Sequence, residues 1–300
     1  MEYRVLLSGQ FTNPTILPLQ TRQTSVAPFA PLRRFCSSFR TLEWKVDRFS
    51  RRVGSLRTLN AVKAAAGGDA AVVSEGKKGS GIGTKRKKLA VFVSGGGSNF
   101  KSIHEGCVDG SVHGDVAVLV TNKKDCGGAE YARSNNIPVF VFPKLQQEPN
   151  GLSPAELVDV LRKYDIDFVL LAGYLKLIPV ELIRAFPKRI LNIHPALLPA
   201  FGGKGFYGMR VHKAVLASGA RYSGPTIHFV DEEFDTGRIL AQSAVHVLAN
   251  DTPEDLAIRV LHEEHKLYVE VVAAMCEERV KWRDDGVPLI QSKENPDEYY

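Results

Sequence analysis

The stretch LAVFVSGGGSN, residues 89–99, decides the fold class of this chain. Its first five residues are all apolar, which is typical of a strand that is buried on both faces in a parallel sheet. The glycines at 95–97 permit a tight turn, and a helix is predicted from Asn99 to about Val108. A strand, a turn and a helix in this order predict an α/β fold with a parallel sheet.

The same alternation continues along the chain. Further strands are predicted at 115–121, 137–142, 167–172 and 190–194, and helices around 127–135 and from Ser153 onwards. Strands that are separated by helices of about ten residues predict a doubly wound, mostly parallel sheet.

The pattern changes after residue 222. The segments 223–230 and 237–247 alternate only partly, so they are predicted to form an antiparallel or mixed edge of the sheet. A long helix is predicted over 252–278, with Thr252 as its N-cap and Pro253 in its first turn.

The charge of the chain is divided between two regions. Residues 1–88 contain 17 Lys and Arg against 5 Asp and Glu, a net charge of +12, whereas residues 89–300 contain 22 against 28, a net charge of −6. The predicted folded part is therefore mildly acidic, which argues against a nucleic-acid partner. The chain has no apolar run of about 18 residues, so a membrane span is not predicted.

The basic region has the composition of a targeting segment. Residues 3–65 are rich in Arg, Ser and Thr and contain only two acids, Glu43 and Asp47. We therefore predict an organelle transit peptide over 1–65 and a disordered, low-complexity linker over 66–88. The plastid stroma is the first expectation and the mitochondrion the alternative. A basic tail that binds nucleic acid is the other interpretation.

A single catalytic domain is predicted over 89–290, followed by a polar tail over 291–300. The four cysteines of the chain have no metal-ligand spacing, so we expect reduced thiols and no metal site. Nothing in the sequence indicates the oligomeric state.

The glycine loop is a candidate anion site. Gly97, Ser98 and Asn99 lie where a strand meets a helix, and backbone N–H groups can approach an anion there. The loop lacks the G-x-G-x-x-G pattern of dinucleotide sites and the G-x-x-x-x-G-K-[ST] pattern of P-loops. A monophosphate site is therefore predicted, and a tight turn that binds nothing is the alternative.

A second group of polar residues follows the strand at 190–194. Asn192 could donate a hydrogen bond to an oxyanion, and His194 could move a proton near neutral pH. A structural histidine is an equally good interpretation of this pair alone. The acidic turn 231–235 could supply a partner carboxylate, or it could be a solvated turn.

Five motifs occur in an order that resembles the phosphoribosylglycinamide formyltransferase family: VSGGGSN, LLAGYLKLI, LNIHPALLP, HFVDEEFDTG and EEH. The resemblance covers about 89–280. It implies the formyltransferase fold and the transfer of a formyl group from 10-formyltetrahydrofolate, as co-substrate, to glycinamide ribonucleotide in purine synthesis.

The resemblance also implies roles for individual residues. The residues that match the catalytic group are Asn192, His194 and Asp235. The residues that match the substrate-binding positions are Gly97, Ser98 and Asn99 for the phosphate and Glu264 for the glycinamide. The residues that match the folate-binding positions are Tyr174, Leu175, Lys176, Leu177, Ile178, Asp231, Glu232, Glu233 and Phe234.

The implied mechanism needs neither a metal nor a covalent enzyme intermediate. Asn192 and a protonated His194 would stabilise the oxyanion of a tetrahedral intermediate. Asp235 would raise the pKa of His194, and the two would orient a water that carries the proton. His228 and His265 are expected to support the site, and the glycine-rich loop 202–215 is expected to form a flexible wall.

The chain departs from the family pattern at three places. Lys176 stands where an arginine is found, only Lys144 is available before the helix that begins at Ser153, and Leu261 replaces a polar contact. A formyltetrahydrofolate hydrolase is the nearest alternative function. A non-catalytic protein that binds a phosphorylated ligand is the alternative from a different class.

Overall fold

The computed structural model describes residues 85–146 and 149–300 of the chain, and the predicted transit peptide lies outside them. The strands in this part are β1 (Lys87–Val93), β2 (Gly114–Thr121), β3 (Val139–Val141), β4 (Phe168–Leu171), β5 (Ile190–His194), β6 (Tyr222–Ser223), β7 (Thr226–Phe229), β8 (Ile239–Gln242), β9 (Val245–His246), β10 (Val280–Trp282) and β11 (Pro288–Ile290). The helices are α1 (Ser98–Asp109), α2 (Gly127–Ser134), α3 (Pro154–Lys163), α4 (Val180–Ala185), α5 (Met209–Ser218) and α6 (Pro253–Cys276).

The main sheet has seven strands in the order β3-β2-β1-β4-β5-β7-β8. The first five strands are parallel, and β7 and β8 add an antiparallel edge. The predicted fold class is therefore confirmed. From β1 the chain first adds β2 and β3 on one side of that strand and then β4 and β5 on its other side. The carboxyl ends of β1 and β4 therefore flank a crevice, which is where sheets of this kind bind ligands.

The apolar run that predicted β1 contributes to two hydrophobic cores. Leu89, Val91 and Val93 pack with residues of α1 and α6, whereas Ala90 and Phe92 pack with residues of α3 and α4 on the opposite face. Successive side chains of a strand point to opposite faces, so a strand that is covered on both faces must be apolar at every position.

Two helices begin with the predicted caps. The Ser153 hydroxyl accepts a hydrogen bond from the Glu156 N–H, and Thr252 accepts one from the Asp255 N–H; both are capping boxes. In the described part of the chain, no helix has the length and apolar character needed to cross a bilayer. The cysteines described there, at 107, 126 and 276, are free thiols.

The two late strands differ from the prediction because each is interrupted. The first divides into β6 and β7 at Gly224 and Pro225, and the second divides into β8 and β9. A Cβ atom on Gly224 would overlap the Ser243 carbonyl oxygen, so the close approach of these two segments requires glycine. The short strands β6 and β9 then pair in a separate sheet.

Both ends of the folded part also differ from the prediction. The first strand begins at Lys87, two residues before the predicted domain boundary. The short α4 and the β10–β11 hairpin were not predicted. The tail after residue 290 is mostly exposed, and the main-chain groups of Tyr300 exchange hydrogen bonds with those of Ile290.

Candidate active site

A cavity of about 580 Å³ opens at the carboxyl ends of the parallel strands. Segments that follow β1, β2, β4, β5 and β7 line it together with the glycine-rich loop after β5. Most of the polar residues predicted to be functional therefore meet at one edge of the sheet, as the parallel topology requires.

Asn192 and His194 lie on the same face of β5, since they are two residues apart on one strand, and both line the cavity. The His194 side chain is buried, with its Nε2 atom 2.8 Å from the Phe201 carbonyl oxygen. A carbonyl oxygen can only accept, so Nε2 carries a proton. In the neutral ring the lone pair is consequently on Nδ1.

Asp235 lies within reach of His194. Its Oδ2 atom is 3.5 Å from His194 Nδ1 and accepts a 2.9 Å hydrogen bond from the Gly203 N–H. The residue has a left-handed backbone with φ 58°, which directs its largely buried side chain into the site. The carboxylate therefore faces the His194 nitrogen that gains and loses a proton.

The protonation states of this pair depend on burial as well as on charge. Burial lowers the pKa of His194 below its ordinary value and outweighs the opposing effects of the Asp235 carboxylate and the Phe201 carbonyl. Burial alone would raise the pKa of Asp235, but His228, His194 and the Gly203 N–H together lower it. At neutral pH His194 is therefore neutral and Asp235 is ionised. Asp235 therefore acts on the pKa of His194 in the expected direction, but burial, which could not be judged from sequence, has the larger effect.

His228 fixes the orientation of the Asn192 amide. The two residues are direct partners across β5 and β7, and His228 is 2% exposed. Its Nδ1 atom lies 2.9 Å from the Phe229 carbonyl oxygen and must donate, so in the neutral ring Nε2 accepts from Asn192 Nδ2 at 3.0 Å. In the protonated ring the Nε2–H faces Asp235 Oδ1, 3.6 Å away. The other amide hydrogen is only weakly engaged, because the contact from Nδ2 to Asp235 Oδ1 is 3.5 Å long.

The glycine loop leaves the start of α1 without a side-chain cap. Gly97 occupies the N-cap position with φ 69°, and the first turn contains no acid. A Cβ atom on Gly97 would lie 2.9 Å from Gly128 Cα, so the close approach of these two loops also requires glycine. Of the three predicted phosphate-binding residues, Asn99 lines the cavity, whereas Gly97 and Ser98 lie beside it.

Asn99 and Glu264 form a buried polar pair in the cavity. The Asn99 Nδ2 atom donates a 2.6 Å hydrogen bond to Glu264 Oε2. Burial raises the pKa of Glu264, and this hydrogen bond only partly opposes the shift. The Asn99 Oδ1 atom is buried without a partner among the described residues, so it can accept a hydrogen bond from a ligand.

Most of the residues predicted to bind folate also line the cavity. The lining residues from this set are Tyr174, Leu175, Lys176, Leu177, Ile178, Asp231, Glu233 and Phe234. Glu232 does not line the cavity, and its carboxylate lies 3.7 Å from Arg184 on the surface. Tyr174 is buried and donates to the Phe142 carbonyl oxygen at 2.8 Å.

Some lining residues were not predicted to belong to a site. Asn122 and Lys123, directly after β2, line the cavity. The segment 203–208 also lines it and belongs to the loop 202–215 that was expected to form a wall. The stretch TNKK, residues 121–124 at the end of β2, was not assigned to a site from sequence. Its position at a strand end beside the glycine loop could have revealed it. In the described residues, no group of three or more potential ligands is arranged to hold a metal ion.

Comparison with known proteins decides the family. A family model described as formyl transferase matches residues 87–272. The chain belongs to the formyl transferase family. The Arabidopsis thaliana protein named "Phosphoribosylglycinamide formyltransferase, chloroplastic" is 71% identical over 302 residues, which cover 100% of both chains.

Solved structures of similar proteins have the same fold. Glycinamide ribonucleotide transformylase 1 from Symbiobacterium toebii is 36% identical with a TM-score of 0.60, covering 67% of this chain and 92% of that one. A formyltetrahydrofolate deformylase from Pseudomonas syringae has a TM-score of 0.61 at 22% identity, covering 68% of this chain and 66% of that one, and shows the fold alone.

Proposed function

We propose that the protein transfers a formyl group from 10-formyltetrahydrofolate to the amine of glycinamide ribonucleotide, a step of purine biosynthesis. One observation carries the proposal. A single cavity brings the Asn192, His194 and Asp235 cluster together with the Asn99–Glu264 pair and an apolar wall. This arrangement provides a reaction centre between two binding regions, as a reaction with two substrates requires. The 71% identity to a protein named for this activity supports the assignment.

His194 acts as the general base in the proposed mechanism. The substrate amine attacks the formyl carbon, and its proton moves to the lone pair on His194 Nδ1. The resulting imidazolium is stabilised by Asp235, whose Oδ2 atom is 3.5 Å away. The proton then passes to the folate nitrogen as the bond from that nitrogen to the formyl carbon breaks, so the ring returns to its neutral form.

Asn192 stabilises the oxyanion in this scheme. Its weakly engaged amide hydrogen can turn towards the negative oxygen of the tetrahedral intermediate, while the bond to His228 holds the rest of the amide in place. A donor of this kind contributes about 3–4 kcal/mol to the transition state in comparable sites.

The substrates occupy different ends of the cavity. We assign the ribotide to the end that contains Asn99 and Glu264, with its phosphate at the glycine loop. We assign the folate to the end lined by Tyr174–Ile178 and by the turn that contains Asp231, Glu233 and Phe234. Burial raises the pKa of Glu264, so this carboxyl is protonated more readily than a free one and can hydrogen-bond to the glycinamide group.

We further propose that residues 1–65 are a transit peptide that directs the enzyme to the plastid stroma, and that the residues from 66 to the start of β1 at Lys87 are a linker. Three relatives named as chloroplastic, from Arabidopsis thaliana, Vigna unguiculata and Glycine max, support this location. Import of a fusion of residues 1–88 to a reporter into isolated chloroplasts, compared with isolated mitochondria, tests it.

A two-substrate assay distinguishes the transferase from the hydrolase. We expect tetrahydrofolate to form only when glycinamide ribonucleotide is present, with one formylated ribotide for each tetrahydrofolate. Release of formate at the same rate without the ribotide would identify a hydrolase instead.

A further inference from the structure

The stretch after β2 lies against the glycine loop at the mouth of the cavity. The strands β1 and β2 are parallel neighbours in which Val93 pairs with Thr121, so the residues that follow each strand emerge side by side. The Gly128 N–H donates to the Gly95 carbonyl oxygen at 3.0 Å, which joins the two loops beyond the strands. A ligand held by the glycine loop therefore lies next to Asn122 and Lys123.

Two buried acceptors at this end of the cavity have no donor. The Oδ1 atoms of Asn99 and Asn122 are both buried and unpartnered among the described residues, and both side chains belong to residues that line the cavity. Buried polar atoms are almost always hydrogen-bonded in proteins, so this pair indicates a ligand that brings donors such as hydroxyl or amide groups.

The charge at this end is incomplete for a phosphate. The glycine loop offers backbone N–H groups but no cationic side chain, and the nearby Glu264 is an acid. Within the described residues, the Lys and Arg side chains that line the cavity are those of Lys123, Lys176 and Lys204. Lys176 belongs to the segment after β4 and Lys204 to the loop after β5, whereas Lys123 follows β2 beside the glycine loop.

Lys123 is held in position by its main chain and is free to bind through its side chain. Its N–H donates to Thr121 Oγ1 at 3.1 Å, and its carbonyl accepts from the Cys126 N–H at 3.1 Å. The side chain is exposed, and it forms no ion pair among the residues that the structure describes. An unpaired ammonium group beside an anion loop suits a phosphate.

We propose that Lys123 is the cation that binds the phosphate of the ribotide substrate and so selects the phosphorylated form. This role rests on the proposed function. Lys176 and Lys204 remain for the carboxylates of the folate. Because a hydrogen bond to a charged group is worth at least about 1.5 kcal/mol, loss of the ammonium group weakens ribotide binding about tenfold.

The test compares glycinamide ribotide with glycinamide riboside, which lacks the phosphate, by calorimetric titration of the full chain. We expect Lys123→Gln to raise the Kd for the ribotide about tenfold and to leave the Kd for the riboside unchanged. Lys123→Arg keeps the charge and should retain most of the affinity. The matched control is Lys124→Gln, since Lys124 is the next residue but does not line the cavity.

Three results would overturn the role of Lys123. The first is unchanged ribotide affinity in Lys123→Gln, and the second is an equal loss for ribotide and riboside. The third is a loss that falls on the formyl-folate, which would assign the ammonium group to the folate carboxylates. Failure of the wild-type chain to bind the ribotide at all would instead contradict the proposed function.

Discussion

Replacing Asp235 with asparagine tests the electrostatic basis of the mechanism, because asparagine keeps the shape and removes the charge. In the wild type, the carboxylate lies 3.5 Å from the His194 nitrogen that becomes protonated. At the effective dielectric constant of about 20 that describes protein sites, two unit charges at this distance attract by about 4–5 kcal/mol. The substitution removes this stabilisation of the imidazolium, so we expect kcat to fall about 1000-fold.

The pH dependence of the same variant gives an independent measurement. Burial lowers the pKa of His194 below its ordinary value of 6.5, so the acid limb of the wild-type kcat/KM profile, which reports the free enzyme, should lie below pH 6.5. The Asp235 anion favours the protonated ring, and without it the pKa of His194 falls further. The acid limb of Asp235→Asn should therefore move to lower pH.

Steady-state assays with both substrates between pH 5 and pH 9 measure these effects. Asp159→Asn is the matched control, because Asp159 is exposed on α3 and does not line the cavity. A loss of less than tenfold in Asp235→Asn, or a shift of its acid limb to higher pH, would refute the assignment of Asp235 as the partner of a basic His194.

Three other predictions concern the surroundings of the cluster. His228→Leu removes the acceptor that orients the Asn192 amide, so kcat should fall about tenfold with little change in either KM. His228→Gln should recover part of the loss, and a change in KM alone would contradict the positioning role. Burial lowers the pKa of His212, so below pH 6.5 the unfolded chain gains a proton that the folded chain does not. The free energy of unfolding should therefore fall as the pH drops below 6.5. This fall with pH should be shallower in His212→Leu, and an equal fall in both proteins would exclude His212 as its source. The buried Tyr268 hydroxyl lies 3.2 Å and 3.3 Å from the carbonyl oxygens of Leu171 and Leu191. Tyr268→Phe should therefore lower the free energy of unfolding, measured in urea, by about 1 kcal/mol. An unchanged free energy would show that these contacts contribute nothing.

The sheet could be predicted because its signals are local. The strand at 89–93 is apolar at every position, since both of its faces are covered, and the caps at Ser153 and Thr252 mark two helix starts. The elements that were missed have weak local signals. The helix α4 has only six residues, and β6 pairs with β9 across more than 20 residues of intervening chain.

The positions of the candidate site residues could be predicted better than their chemistry. The motifs indicated that Asn192, His194 and Asp235 belong together, and the structure places their side chains in contact. The protonation state of His194 depends on how deeply the ring is buried and on its contact with Phe201, and neither follows from a motif. The exclusion of Glu232 from the cavity likewise depends on how one turn folds.

The most direct measurement is the single-turnover rate of formyl transfer in His194→Ala with both substrates bound. We expect the rate to fall by about 10²–10⁴, the contribution of a positioned general base, while the Kd of each substrate changes little. A variant that transfers the formyl group at nearly the wild-type rate would contradict proton transfer by His194.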